Sequence, residues 1–167
     1  MDDLWTVTAT PLADRAATGL LRRYFADVAS SYWGRPATDA EVTEVLIENP
    51  SDDVAVFLVG RRAGVPAGCV GLRFDLPGFA TLTRMFVTPA ARGTGGGATL
   101  LAHAEDRARD CGAHTMRLDT RQALTSARRL YETHGYQEVP AFSHGQYQEV
   151  WYAKELAPSC RPAAGGG

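Results

Sequence analysis

Between residues 87 and 98 the chain reads Val87-Thr88-Pro89-Ala90-Ala91-Arg92-Gly93-Thr94-Gly95-Gly96-Gly97-Ala98. This segment follows a β-branched apolar run and precedes an amphipathic helical pattern. Glycines let consecutive backbone N–H groups converge, because no Cβ stands in the way, and the helix that follows presents its positive dipole end. The segment therefore predicts a binding site for a pyrophosphate.

The overall composition indicates one globular domain. The chain has 167 residues, of which 45% are apolar and 22% are charged, and this is enough for a single hydrophobic core. A net charge of −2 argues against a nucleic-acid-binding surface. We expect one domain over residues 1–157 and a disordered tail, rich in Pro, Ala and Gly, over residues 158–167.

Cysteine, histidine and apolar patterns argue against several other classes of protein. The three cysteines and four histidines do not follow a zinc-ligand spacing, so no metal site is predicted. The first five residues lack the basic and apolar regions of a signal peptide, and no window reaches the length of a membrane span. We expect a cytoplasmic protein with reduced thiols and with neither a membrane nor a nucleic acid as partner.

The first half of the chain is predicted to hold two helices and three strands. Apolar residues recur at helical spacing after Asp14, and Thr38 to Glu41 form a capping box that begins a second helix. Turn residues then divide residues 54–87 into three antiparallel strands, a meander that leads into the glycine-rich segment.

The second half adds two helices and three strands. A helix follows the glycines and ends at Gly112, a buried strand covers residues 115–118, and another helix runs from about residue 124 to residue 134. Residues 136–142 and 147–156 are predicted as a final antiparallel pair. These patterns together predict an α/β domain with a central, mostly antiparallel sheet of six or seven strands, flanked by about four helices.

The glycine-rich segment also matches a dinucleotide-binding fingerprint. Residues 93–98 fit the pattern G-x-G-x-x-A, and Asp119 follows roughly twenty residues later at a strand end, where a ribose-binding acid is expected. That fold requires a tight turn from strand to glycine inside a βαβ unit, whereas an antiparallel meander precedes this segment. A nicotinamide or flavin oxidoreductase stays as an alternative, while a P-loop is excluded because no Lys-Ser or Lys-Thr follows the glycines.

Including Arg92 gives a different motif, R-x-x-G-x-G, over Arg92, Gly95 and Gly97. Around this motif the chain resembles the GNAT (general N-acetyltransferase) superfamily. The resemblance runs from about residue 54 to residue 156, with three motifs in the family's order: residues 83–97, residues 117–120, and residues 127–131 ending in Gly135-Tyr136. It implies a GNAT-like acyl-CoA N-acyltransferase fold, a sheet that splays at the cofactor site, and acetyl-CoA as cosubstrate.

The resemblance also implies which residues bind the cofactor. They are Met85, Phe86, Val87, Arg92, Gly93, Thr94, Gly95, Gly96, Gly97 and Ala98. The pantetheine arm would lie beside residues 85–87 like an added strand, and a backbone N–H near Met85 would polarise the thioester carbonyl. Two positions depart from the family pattern: Thr94 stands where a basic residue is common, and Gly96 replaces an aliphatic residue at a cost on the order of 1 kcal/mol in the first helical turn.

Tyr131 is the catalytic residue that the resemblance implies. It matches the tyrosine that protonates the departing thiolate, and a phenol of pKa about 10 is a suitable donor to a sulfur anion. Taken alone, an aromatic at this spacing would be assigned to core packing.

The base that deprotonates the attacking amine is left open by the sequence. Many relatives carry Glu four residues before Met85, where this chain has Thr81, and a hydroxyl cannot be that base near neutral pH. Asp75, Asp119 and His144 are possible substitutes, against ordinary roles as loop, strand-end and turn residues.

Aromatic and basic residues are expected to bind the acceptor, and we name Tyr32, Arg35 and Arg84. Such a set suits a small amine that also carries a carboxylate, but the same residues also fit hydrophobic packing beside exposed arginines. Protein N-termini, lysines, polyamines and drugs all stay open as acceptors. A homodimer is common for the resemblance, although no apolar stripe demands one.

The predicted function is transfer of the acetyl group from acetyl-CoA to a primary amine of a small molecule or peptide by direct attack. Two alternatives stand beside it: the dinucleotide-binding oxidoreductase, and a catalytically inactive acetyl-CoA-binding domain that has lost the acid at position 81.

Overall fold

The structure is a computed structural model that describes residues 4–158. The predicted single domain over residues 1–157 and its disordered tail stay predictions, because all of the tail except Pro158 lies outside the described residues.

The order of strands and helices along the described residues is close to the predicted order. The strands are β1 (Trp5–Ala9), β2 (Val56–Arg62), β3 (Val65–Arg73), β4 (Phe79–Val87), β5 (Thr115–Thr120), β6 (Gln137–Val139) and β7 (Val150–Glu155). The α-helices are α1 (Arg15–Trp33), α2 (Asp39–Glu48), α3 (Gly96–Asp110) and α4 (Thr125–Thr133), and a 3-10 turn covers Pro89–Ala91. These elements confirm the predicted mixed α/β class and the four helices, and of the six or seven strands expected, seven are present.

The seven strands form one sheet in the order β1-β2-β3-β4-β5-β7-β6. Neighbouring strands are antiparallel except β4 and β5, which run parallel. Their pairing covers only residues 79–81 against residues 115–117 and ends at the pair Thr81 and Arg117. Beyond this pair β4 and β5 separate, and we call the opening between them the cleft. The predicted splay is therefore present.

The helices cover the two faces of the sheet. On one face, which we call the α1 face, Val59 and Cys69 pack in a core cluster with Leu20 of α1. On the other, the α3 face, Leu58 packs in a second cluster with Leu100 of α3. Neighbouring residues of a strand, such as Leu58 and Val59, belong to different clusters, because successive side chains of a strand point to opposite faces.

Helix starts follow the local chemistry that the sequence predicted. The Asp14 carboxylate caps α1 by accepting hydrogen bonds from the N–H groups of Ala16 and Ala17. At α2 the capping box is complete, with the Thr38 hydroxyl accepting from Glu41 N and the Glu41 carboxylate accepting from Thr38 N. None of the helices within residues 4–158 is both long and apolar enough to cross a membrane.

Two details of the sheet differ from the prediction. Strand β1 was not predicted, and it pairs antiparallel with β2. The final pair is shorter than expected, since β6 ends at Val139, just before Pro140, which has no N–H to donate to a ladder. Residues 140–149 instead form a loop between β6 and β7.

Candidate active site

The glycine-rich loop between β4 and α3 has the geometry of an anion cradle. Gly93 and Gly95 have φ angles of 78° and 87°, a left-handed conformation that glycine adopts without strain. Gly95 is the N-cap of α3, and no side chain accepts a hydrogen bond from the first turn of this helix. Because no side chain occupies the N–H groups of this turn, they can donate hydrogen bonds to a pyrophosphate group.

Trp5 of β1 supports this loop from below. Its indole Nε1 donates to Thr94 Oγ1 at 3.0 Å, and the Thr94 hydroxyl donates to the carbonyl of Ala91 at 2.6 Å. The indole ring lies so close to Gly96 that a Cβ there would overlap it. The departures at Thr94 and Gly96 therefore belong together, since both accommodate Trp5.

Arg92 directs its side chain away from the loop. Its Nε donates to the Val87 carbonyl at 3.1 Å, and its guanidinium forms an ion pair with Asp27 of α1 at 3.6 Å. The side chain thus ties the end of β4 to α1, and any contact of Arg92 with the cofactor would come from its backbone.

A β-bulge shapes the part of β4 that lines the cleft. Arg84 and Met85 together stand opposite Val70, a single residue of β3. Arg84 has a φ angle of 53°, and its carbonyl accepts a hydrogen bond from the Cys69 thiol at 3.3 Å. A bulge disrupts the ladder locally, so the backbone at Met85 suits the predicted contact with a thioester carbonyl.

Tyr131 of α4 belongs to the core cluster on the α3 face. Its ring is 4% exposed and packs edge-on against Tyr136, with centroids 5.8 Å apart. Burial raises the pKa of Tyr131 above its ordinary value, and the neighbouring Tyr24 and Asp119 raise it further. The hydroxyl forms no hydrogen bond with any residue between 4 and 158. Tyr131 is therefore a protonated donor with no competing acceptor.

Asp119 lies on β5 at the α1 face. Burial raises the pKa of this half-buried carboxyl, while Arg73 lowers it. Across the cleft, burial raises the pKa of Tyr24 to about 12, and both Arg84 and Asp119 influence it. The cleft thus brings together two tyrosines and one carboxylate from α1, α4 and β5.

The other two candidate bases are placed less favourably. Asp75 is exposed, and its Oδ2 lies 3.5 Å from Thr81 Oγ1 and 4.0 Å from Arg73 Nε. His144 is exposed in the loop of residues 140–149. Thr81 itself is 2% exposed and accepts a hydrogen bond from Arg117 Nε at 3.3 Å. Of the three candidates, Asp119 is the one whose charge acts on the pKa of Tyr131.

Two of the three predicted acceptor-binding residues lie at the α1 face of the sheet. Tyr32, at the end of α1, packs edge-on against Tyr147, with centroids 4.9 Å apart. Arg84 is held by the Ser51 hydroxyl at 3.1 Å and lies over the ring of Phe25 at 5.1 Å.

Arg35 is engaged elsewhere. Its two terminal nitrogens donate to both carboxylate oxygens of Glu41 at 2.9 and 2.6 Å, and its guanidinium lies over Trp33 at 5.1 Å. A bidentate pair of this kind uses the donors that a substrate carboxylate would need. We therefore leave Arg35 out of the acceptor site.

The sequence did not point to Arg73 and Arg117 as part of this site. Both belong to one row of the sheet with Thr81, because Thr81 pairs with Arg73 on one side and with Arg117 on the other. The signal was the alternation of Arg117 and Asp119 with buried Leu118, which puts both charged side chains on one face of a central strand.

A cavity of about 350 Å³ lies on α4, beside the glycine-rich loop. It is lined by Thr125, Ser126, Arg129, Leu130, Thr133 and His134. Leu130 also lies close to Gly97 in the first turn of α3. Between residues 4 and 158 no cluster of His, Cys, Asp and Glu could hold a metal ion.

Comparison with known proteins identifies the family of the chain. The model of the acetyltransferase (GNAT) family matches residues 21–136, which is more than half of its length. The chain belongs to this family. An uncharacterised GNAT relative, an N-acetyltransferase of Bacillus subtilis, is 43% identical over 66% of this chain and 78% of its own.

Other relatives extend the likeness. An IAA acetyltransferase of Azospirillum brasilense is 37% identical over 52% of this chain, and the match spans 57% of that protein's length. A proposed acyl-CoA N-acyltransferase of Klebsiella pneumoniae has the same fold, with a TM-score of 0.70 and 29% identity, over 93% of this chain and 99% of that one. The dinucleotide-binding interpretation is wrong, because the chain matches the GNAT family and because the 3-10 turn of Pro89–Ala91 separates the end of β4 from the first glycine, whereas a dinucleotide-binding fold needs a tight turn from strand to glycine.

Proposed function

We propose that this GNAT protein transfers the acetyl group of acetyl-CoA to a primary amine of a small molecule or peptide by direct attack. The observation that carries the proposal is the placement of Asp119 on the α1 face of β5 and of the buried Tyr131 on the α3 face, where the tyrosine hydroxyl has no hydrogen-bond partner among residues 4–158. One group can accept a proton and the other can donate one, on the two sides of a single opening.

The loop and the bulge support acetyl-CoA as the donor. The uncapped first turn of α3 and the left-handed Gly93 and Gly95 fit the pyrophosphate. The strand from Met85 to Val87 lies along the cleft and suits the pantetheine arm. When bound, acetyl-CoA supplies the thioester whose carbonyl carbon the amine attacks.

The residues of the cleft divide the proton transfers between them. Asp119 takes a proton from the amine nitrogen while the new C–N bond forms. Met85 N–H stabilises the negative charge that develops on the carbonyl oxygen. Tyr131 donates its hydroxyl proton to sulfur as the C–S bond breaks. The products are an N-acetylated amine and the free thiol of CoA.

The test compares two neighbouring tyrosines. Thiol release from acetyl-CoA is measured with a panel of primary amines for the wild-type protein, Tyr131→Phe and the control Tyr136→Phe. Tyr136 packs against Tyr131, but its hydroxyl is buried without a partner among residues 4–158. We expect Tyr131→Phe to reduce kcat by about 10²- to 10⁴-fold and Tyr136→Phe to retain the wild-type rate.

Binding of acetyl-CoA, measured by calorimetry on the same proteins, separates the possible results. Equal rates for Tyr131→Phe and wild type would show that the acid is assigned wrongly. Binding of acetyl-CoA without thiol release for any amine would favour the catalytically inactive alternative. The cytoplasmic location and the homodimer stay expectations from the sequence.

A further inference from the structure

On the α1 face of the sheet, β5 carries one cation and one anion that have no ion-pair partner among residues 4–158. Arg117 and Asp119 are two residues apart on β5 and point to the α1 face. Of the other arginines nearby, Arg73 pairs with Asp53 at 3.0 Å, and Arg121 pairs with Glu149 at 3.7 Å. Arg84 has no carboxylate partner among residues 4–158, but its guanidinium nitrogens donate to two hydroxyls and two backbone carbonyls. Neither Arg117 nor Asp119 forms an ion pair within the described part of the chain.

Arg117 is nonetheless held in place. Its Nε donates to Thr81 Oγ1 at 3.3 Å, and its guanidinium lies over the rings of Phe79 and Phe142, at 5.4 and 4.4 Å from their centroids. Stacking between two rings fixes the plane of a guanidinium without using its terminal nitrogens. No residue from 4 to 158 accepts a hydrogen bond from those nitrogens.

The loop of residues 140–149 keeps this arrangement closed on one side. Phe142 belongs to the loop, and the loop is tied to β7 by a hydrogen bond of 2.9 Å from Trp151 Nε1 to Ser143 Oγ. At its other end Tyr147 meets Tyr32 of α1.

A half-buried guanidinium with two unused NH₂ groups is costly unless a ligand completes its hydrogen bonds. A planar fork of this kind matches a carboxylate, which can accept two parallel N–H bonds. The neighbouring Asp119 complements an ammonium group before it gives up its proton.

We propose that the acceptor is an amine that also carries a carboxylate, and that Arg117 binds this carboxylate while the amine lies at Asp119. This inference rests on the proposed acetyl transfer and adds the class of acceptor to it. A polyamine would place a second ammonium group against Arg117, so polycations are excluded as preferred acceptors.

The test uses matched acceptors that differ only in the carboxylate. Alanine, phenylalanine, β-alanine, 4-aminobutyrate and alanylalanine are compared with their C-terminal amides and with spermidine, by thiol release from acetyl-CoA. We expect the best acid to exceed its amide in kcat/KM by roughly 10- to 100-fold, mainly through KM, as for a charge-assisted hydrogen bond.

Three variants locate the effect. Arg117→Gln is expected to bring the ratio of acid to amide close to one, and Arg117→Lys to restore part of it. Arg23→Gln, at an exposed position of α1, removes the same charge and keeps the wild-type ratio. The shift in Tm that acetyl-CoA produces is measured for each variant and is expected to equal that of the wild type.

The results distinguish failure of this inference from failure of the proposed function. Amides or spermidine that react as well as the acids, or a ratio that Arg117→Gln leaves unchanged, would overturn the inference while acetyl transfer stands. If acetyl-CoA binds but no amine of the panel releases thiol, both are overturned.

Discussion

Replacing Gly96 with alanine is expected to destabilise this protein, although alanine is the better helix former. In a helix the exchange ordinarily stabilises by up to about 1 kcal/mol. At Gly96, however, the new Cβ would lie 2.6 Å from both Cε2 and Cη2 of Trp5. Atoms at that distance repel strongly, and the indole is rigid, so the ring or the loop must move.

The magnitude follows from two opposing terms. Overpacking costs typically about 1–3 kcal/mol, and direct overlap with a rigid ring puts this case at about 2–3 kcal/mol. A net loss of roughly 1–2 kcal/mol is left after a gain of up to about 1 kcal/mol in helix propensity. In a domain of this length such a loss lowers Tm by roughly 2–8 °C. Gly19 is the matched control, because it lies in α1 with nothing within 4 Å of an added Cβ. Gly19→Ala is expected to raise stability by up to about 1 kcal/mol.

A double-mutant cycle with Trp5→Leu assigns the effect to the ring. Urea unfolding, followed by circular dichroism, gives the free energy of unfolding for the wild type, the two single variants and the double variant. Removing the indole makes room, so Gly96→Ala is expected to be neutral or stabilising in the Trp5→Leu background, with a coupling of at least about 1 kcal/mol. Equal effects of Gly96→Ala in both backgrounds would refute the reasoning.

Two further predictions concern titrating groups. The rate of thiol release should rise with pH as Asp119, whose pKa is raised by burial, loses its proton. Asp119→Asn should lose this pH dependence and most of the rate. The control Asp75→Asn should keep the wild-type pH dependence and rate. Hydrogen bonds, above all from Arg35, lower the pKa of Glu41 to about 2. The ionised Glu41 therefore stabilises the folded state above its ordinary pKa, and this stabilisation is lost as the pH falls towards about 2. Glu41→Gln should therefore flatten the fall of Tm over this range, and Glu44→Gln, exposed on the same helix, should leave it as in the wild type.

Local chemistry predicted the parts of the fold that depend on neighbouring residues. The capping box at Thr38 and the glycine-rich loop act within a few residues, so the printed sequence contains all that they need. Strand β1 depends on its pairing with β2, about fifty residues away, and most of its side chains are exposed. Its five residues nevertheless alternate between apolar and polar, so a short strand signal was present in the sequence.

The site was predicted unevenly for the same reason. Family motifs pointed to Tyr131 and to the loop, although the roles of these residues await the experiments above. The sequence could not tell which arginine has free donors, because that depends on side-chain partners. The terminal nitrogens of Arg35 donate to the capping residue Glu41. Arg117 instead stacks on Phe142 of a distant loop, and this contact leaves its terminal nitrogens free to donate.

The separation of β4 and β5 has a consequence for handling the protein. Beyond Thr81, β4 is hydrogen-bonded on one side only, to β3, so one row of backbone donors and acceptors is left as an open sheet edge. Such edges recruit strands from other molecules and are a common origin of aggregation. A ligand lying along residues 85–87 would occupy this edge, so storage with CoA should slow the growth of light scattering, independently of any gain in turnover.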